Sequence, residues 1–345
     1  MVGTEFIQGQ GLGNQLFCYI TARCVASEHG YEFGCANQEG FANNIHSNRG
    51  MYFLDMDLGR NITPEEKEGL SVYQEKEKRL YLGNSPHDMT QGVYVAGVDD
   101  DLMNVPDNTL IMGNMQDPSY FWKYREQIKS WLKVKPEYES TEYSRENLCI
   151  INLRGGEYKG SPELYLEKKY WIKAMKYMRS LRSDMEFMII TDDVEGANKI
   201  LPGIEAHHFD MGKDYVTLKN AHYLILSNST FAFFPVLTSD TVKAVVAPKY
   251  WARHNVSNGY WASEQNIYDN LTYMDRQGRT FSASECRQEL AEYKAKNKTY
   301  SNAVAPATGL KQKLQVLNCK YIWYAYYGRR AWRSLLRRIG KGVSH

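Results

Sequence analysis

The chain is poor in cysteine for its 345 residues. Its six cysteines, at 18, 24, 35, 149, 286 and 319, include no C-x-x-C pair. That argues against a disulfide scaffold and a zinc ribbon, and reduced thiols are the simplest reading. No apolar run reaches the roughly 18 residues needed to span a bilayer as a helix. A basic segment followed by an apolar one is missing at the N-terminus, so no secretory signal is expected. The eight histidines form neither H-x-x-x-H nor H-x-E, and no metal is expected. Asp55 and Asp57 make a D-x-D, which can hold a divalent metal in some transferases. Here it sits in an irregular polar stretch, where chance is the plainer reading. Internal repeats and low-complexity segments are absent too.

Acidic residues are absent after Glu292. Residues 1–292 hold 30 basic and 40 acidic side chains, and the remainder holds twelve basic ones. Such asymmetry points to an acidic partner. The end reads YIWYAYYGRRAWRSLLRRIGKG, with apolar residues every three to four positions and Arg or Lys between them. A basic amphipathic helix carrying Trp and Tyr suits an anionic membrane surface. A helix packed on the body and a nucleic-acid contact are the competing readings.

What is present is an alternation. The length suggests about two domains. Residues 5–30 read as strand, glycine-rich turn and helix, and 108–115 as a strand. Residues 120–132 read as a helix and 133–144 as an interdomain linker. Then strands at 147–155, 185–193, 207–210, 223–230 and 243–251 alternate with helices at 163–182, 194–200, 214–221 and 231–237. Strand–helix alternation implies a parallel sheet covered on both faces. Two such sheets facing each other leave a cleft for ligands. The expected units are an N-terminal Rossmann-like domain over 1–140, a C-terminal Rossmann-like domain over 145–300 and a basic tail over 310–345.

Four places carry candidate chemistry. Gly9, Gly11 and Gly13 fall between a strand and a helix, where glycines allow close approach and the helix start favours an anion. A dinucleotide fingerprint would need glycine where Asn14 stands, and the Walker pattern is missing as well. A purely structural tight turn fits equally. Arg154 follows a strand and is placed to hold a diphosphate with paired hydrogen bonds. Gly155 and Gly156 would offer backbone amides, and Glu157 a general base; a surface Arg–Glu pair is the alternative. Asp192 and Asp193 could accept from a nucleobase or ribose, or cap the next helix. Ser227, Asn228, Ser229 and Thr230 suit a phosphate or sugar, or again a helix cap.

GLGNQLF (11–17), the strand end at 152–158, the T-D-D at 191–193 and SNSTFAFF (227–234) together resemble glycosyltransferase family 11. Those are the bacterial and animal α-1,2-fucosyltransferases. GNMQDPSYF (113–121) is similar to a further family segment. The likeness runs over roughly residues 5–262. It departs at the Arg-centred motif, where Asn152 replaces histidine, Gly155 the second arginine and Glu157 an aspartate. The resemblance implies an α/β protein of the GT-B type, with two Rossmann-like domains facing a cleft and the basic helical tail appended. It also implies GDP-β-L-fucose as donor, inversion at the anomeric carbon and independence from metal or other cofactor. The expected donor contacts are Arg154, Gly155, Gly156, Tyr158, Asp192, Asp193 and Ser227 to Thr230, with Arg154 and Glu157 catalytic. Gly11, Gly13, Asn14 and Gln15 would face the cleft from the first domain.

The function so implied is fucosyl transfer to a hydroxyl, with galactose O2 the family's choice, on a bacterial surface-glycan precursor. The alternatives are a related transferase using another nucleotide sugar, or a nucleotide-binding protein without catalysis. The tail and the missing leader together predict a cytoplasmic protein, peripheral on the inner face of the bacterial inner membrane, with a lipid-linked oligosaccharide as acceptor.

Overall fold

The computed structural model describes residues 1–7, 9–39, 52–76, 78–80, 93–95, 98–160, 164–255, 257, 261, 264–296 and ten helical positions between 310 and 336. Two parallel sheets organise them. The first is built from β1 (Val2–Glu5), β2 (Phe33–Ala36), β4 (Arg60–Ile62), β5 (Ser71–Gln74) and β8 (Thr109–Met112). Its order is β4-β2-β1-β8-β5. Two small antiparallel pairings accompany this sheet. β3 (Leu54–Asp55) meets β9 (Lys133–Val134), and β6 (Lys78–Leu80) meets β7 (Val93–Val95).

The second sheet contains β10 (Leu148–Leu153), β11 (Glu186–Thr191), β12 (Ala206–His207), β13 (Tyr223–Leu226), β14 (Ala244–Pro248), β15 (Thr272–Met274) and β16 (Thr280–Phe281). The order is β12-β11-β10-β13-β14-β15-β16, parallel except for the last pair. This is the doubly wound order, whose crevice lies where the winding reverses, between β10 and β13. All six residues of β10 are buried, as expected of an apolar central strand covered on both faces. Its register, Leu148 opposite Glu186 through Leu153 opposite Thr191, sets its carboxyl end level with that of β11.

The helices are α1 (Leu12–His29), α2 (Pro64–Glu68), α3 (Arg125–Trp131), α4 (Lys168–Leu181), α5 (Val194–Ile200), α6 (Met211–Lys219), α7 (Thr230–Leu237) and α8 (Ala283–Lys296). α1 is buried around most of its circumference, not along one stripe. It is packed against α7, so both of its faces meet protein. Phe17 of α1 stacks on Phe233 of α7 with centroids 5.2 Å apart and touches Phe234 at 4.7 Å. Phe233 in turn lies 4.0 Å from Tyr268. One apolar core therefore runs from Val2 and Ile111 of the first sheet to Ile150, Leu226 and Tyr273 of the second.

Several elements differ from the sequence reading. The first strand, which the sequence places from Glu5 onward, runs instead over Val2–Glu5. Over 120–132 a 3₁₀ turn at Trp122–Tyr124 precedes the short α3. The helix expected from 163 starts at Lys168, because Glu167 is extended at φ −72° and ψ 150°. The third strand of the second sheet stops at His207, and α6 begins three residues early at Met211. Asp210 causes both, since its carboxylate accepts from the Gly212 and Lys213 amides as an N-cap. Residues 133–144 are not a free linker: Val134 pairs with Leu54, and the Lys135 amide donates to the Phe53 carbonyl.

Candidate active site

The carboxyl ends of β10, β11 and β12 and the starts of α1 and α7 surround a cavity of about 1190 Å³. It receives Gly11, Gly13 and Asn14 from the first sheet's side and Arg154, Glu157, Tyr158, Asp192, Ser229 and Thr230 from the second.

Arg154 is held on three sides. Its Nη1 lies 2.7 Å from Asp192 Oδ2, its Nη2 donates to Glu157 Oε1 at 3.1 Å, and its guanidinium carbon sits 5.5 Å from the Tyr158 ring centroid. Its side chain is only 24% exposed, so the charge is oriented before any ligand arrives. Asp192 uses its other oxygen to accept the Gly155 amide at 2.7 Å. That amide is thus committed to Asp192, whereas the sequence reading had it free for an anion. The two glycines answer to packing: a Cβ on Gly155 would come 2.5 Å from Asp193 Cβ, and one on Gly156 would come within 2.3 Å of Asp192 Oδ2. Neither glycine lines the cavity.

Asp193 does not line it either. Its side chain accepts from the Gly196 amide at 3.1 Å, caps α5 and pairs with Lys159. Of the two uses open to the T-D-D, the structure gives Asp193 the cap and leaves Asp192 facing the cavity beside Arg154.

At β13 the hydroxyl stretch divides as well. Ser227 Oγ donates to Asn152 Oδ1 at 3.1 Å, a buried pair that ties β13 to β10. Asn228 is buried, and its side-chain amide has no hydrogen-bond partner among the described residues. Ser229 and Thr230 line the cavity at the start of α7, where Ser229 makes no side-chain cap. α1 begins in the same way, with no side-chain cap at Gly11 and no acid in its first turn. The two starts touch: a Cβ on Gly13 would come 2.4 Å from the Thr230 carbonyl carbon and 2.6 Å from the Phe231 nitrogen. Two helix N-termini, neither closed by a side-chain cap, therefore converge on one wall with their positive dipole ends.

Asn14 accepts from Gln116 Nε2 at 3.2 Å, and Gln116 Oε1 accepts from Gln265 and Asn266 at 3.1 and 3.0 Å. This polar bridge links Asn14 through Gln116 to Gln265 and Asn266. Gln15, expected in the cleft, is buried below it and clamps the glycine turn by donating to the Ile7 carbonyl at 3.0 Å. Gly9 holds that turn at φ 87°, the left-handed region open to glycine.

Sequence reasoning missed the far end of the cavity. His208 and Asp214 line it, with His208 Nδ1 2.8 Å from Asp214 Oδ2 and the Phe209 amide 3.1 Å from Asp214 Oδ1. Burial raises the Asp214 carboxyl above its ordinary range, and the hydrogen bond to Asp214 raises the His208 ring. Tyr52 adds a hydroxyl bonded to Asp210, and Lys213 a cation 2.9 Å from Glu142. The available signal was an H-x-x-x-x-x-D spacing beyond the third strand, which no short motif records.

The D-x-D is turned elsewhere. Asp57 pairs with Arg23 Nη2 at 3.2 Å and accepts the Gly59 amide, and neither Asp55 nor Asp57 lines the cavity. Among the described residues, no group of three or more His, Cys, Asp or Glu could hold a metal ion.

No family model matches the sequence. Several fucosyltransferase structures overlap it weakly. NodZ α-1,6-fucosyltransferase soaked with GDP-fucose gives a TM-score of 0.41 at 12% identity, covering 72% of this chain and 95% of that one. POFUT1 in complex with GDP-fucose gives 0.39 at 11%, covering 71% and 96%. In sequence, an α-1,2-colitosyltransferase of Escherichia coli is 21% identical over 168 residues, 43% of this chain and 58% of that protein. The match thus spans little more than half of the relative's length. By its motifs, and in keeping with this relative, the chain resembles the α-1,2-transferring glycosyltransferases of family 11.

Proposed function

We propose that the chain is an inverting glycosyltransferase of the GT-B type that moves L-fucose from GDP-β-L-fucose to a hydroxyl of a glycan acceptor. The observation that carries this reading is one cavity lined by both Arg154 and the adjoining starts of α1 and α7. A pre-oriented guanidinium and the positive ends of two helices are what a departing nucleoside diphosphate requires.

In this reading the diphosphate lies along the crevice between β10 and β13. The acceptor oxygen attacks the anomeric carbon, the bond to the β-phosphate oxygen breaks, and the β-linked donor yields an α-linked product. Negative charge grows on the β-phosphate as the sugar becomes oxocarbenium-like. Arg154, the first-turn amides of α7 and the Ser229 and Thr230 hydroxyls receive that charge. Asn14, held by Gln116, faces the sugar from the start of α1 beside it. The nucleobase extends toward β12, where Asp214 accepts ring N–H groups and His208 covers them. Glu157 is the candidate base for the acceptor proton, since it lines the cavity beside Arg154 and lies largely in solvent.

A second reading keeps the site and changes the sugar. The E. coli relative is named for colitosyl transfer, so a colitosyl donor is the alternative. Thermal unfolding in EDTA with GDP-fucose, a colitosyl nucleotide, GDP, UDP and dTDP separates these. A ligand at 100 times its Kd adds about 2.7 kcal/mol of stability. Selective shifts with GDP and GDP-fucose are expected. A larger shift with the colitosyl donor selects the second reading, and a response confined to UDP or dTDP overturns both.

A further inference from the structure

The donor site leaves the C-terminal stretch without a role. Every described residue between 310 and 336 is helical. Leu310, Leu314, Leu317, Tyr321, Tyr324 and Leu335 follow one another at helical spacing, and with Trp332 they fall within an arc of about 80° at 3.6 residues per turn. This stripe faces solvent: Leu310 is 75% exposed, Tyr321 73% and Trp332 61%. At the same spacing the sequence sets Lys311, Arg329, Arg330, Arg333 and Arg337 outside that arc.

An apolar stripe left in water calls for an occupant, and charge selects among the possible ones. No acidic residue follows Glu292, so two copies of this helix side by side would bring like charges together with none to offset them. An anionic lipid surface meets both faces at once. It takes leucine, tyrosine and tryptophan at the headgroup–acyl boundary and pairs with the flanking cations. The body opposes any wider contact: with 30 basic and 40 acidic side chains over residues 1–292, it is repelled by the surface that attracts the tail.

We propose that the stretch 310–336 lies in the plane of an anionic lipid surface, apolar stripe inward. The proposal does not depend on the glycosyltransferase reading.

The test is co-sedimentation of the full chain with phosphatidylcholine vesicles, alone or containing phosphatidylglycerol. Binding should need the anionic lipid and weaken as salt rises. Leu317→Glu/Tyr324→Glu and, separately, Arg329→Gln/Arg330→Gln/Arg333→Gln should each bind about tenfold or more weakly. Melting temperature and the response to GDP should stay unchanged in both. Equal binding to neutral vesicles, or none to either, overturns the proposal. So does self-association without vesicles that Leu317→Glu/Tyr324→Glu abolishes, or retention of a single-stranded RNA by a chain that ignores vesicles. None of these outcomes involves the sugar donor.

Discussion

Arg154 shows how much one side chain depends on its neighbours. A guanidinium at the end of β10 could swing into solvent, but Asp192, Glu157 and the Tyr158 ring fix it toward the cavity. The cost of orienting it is met in folding and not at the moment of reaction. Arg154→Ala should therefore lower kcat about 10²–10³-fold, the usual loss of one charge-stabilising donor. Glu157→Gln separates the two roles of its neighbour. If Glu157 takes the acceptor proton, kcat falls while the GDP affinity read by calorimetry holds. A kcat equal to the parent's removes it from that role, and a comparable kcat for Arg154→Ala sinks the charge-stabilising assignment.

Among the elements, α1 and α7 do most to form the site. Their starts are adjacent because residue 13 has no side chain, and their lengths are joined by Phe17 against Phe233 and Phe234. Aromatic pairs of this kind add about 0.5–1.5 kcal/mol beyond burial. Gly13→Ala would drive a methyl into the backbone at Thr230 and Phe231, which cannot rotate away. Overpacking of this sort costs about 1–3 kcal/mol, read as a lower denaturant midpoint, and GDP binding should weaken along with it. A variant of unchanged stability and affinity would show that the two helices part without cost. The same contact explains why the glycine turn could be read two ways in the sequence. It is a structural turn and a wall of the cavity, and only the position of α7 reveals the second.

For the molecule as a whole, two histidines give pH dependences of opposite sign. Burial lowers His254 from 6.5 to about 4. It stays neutral in the fold, so its contribution is complete above the unfolded value and is lost as pH falls toward about 4. His208 is raised from 6.5 by Asp214, so its contribution is complete below that value and is lost as pH rises through the folded one. Melting temperature should accordingly decline on the alkaline side of about 6.5, and His208→Asn should flatten that limb while leaving the acid limb alone. Parallel alkaline slopes in the two proteins would mean that His208 and Asp214 do not form a charged pair.

The alternation of apolar strand runs with helices was enough to place the central strands of the second sheet but not β15 and β16, because strands buried on both faces must be continuously apolar and their crossovers helical, whereas short edge strands need be neither. β10, β11, β13 and β14 lie where the pattern put them, as do α5 and α7 to within one residue. The charge split at Glu292 is likewise a property of sequence alone. Tertiary structure decided what a local pattern cannot hold. Asp192 and Asp193 are adjacent and chemically identical, yet one faces the cavity and the other caps α5, because strand and helix geometry turn them apart. Gly155 and Gly156 stand where they do because two carboxylates approach too closely for any side chain. His208 and Asp214 reach the cavity only because β12 pairs beside β11, and Asn14 is fixed by residues more than a hundred positions away. Contacts between distant segments leave no periodicity in the chain, so the walls of the site had to be read from the fold.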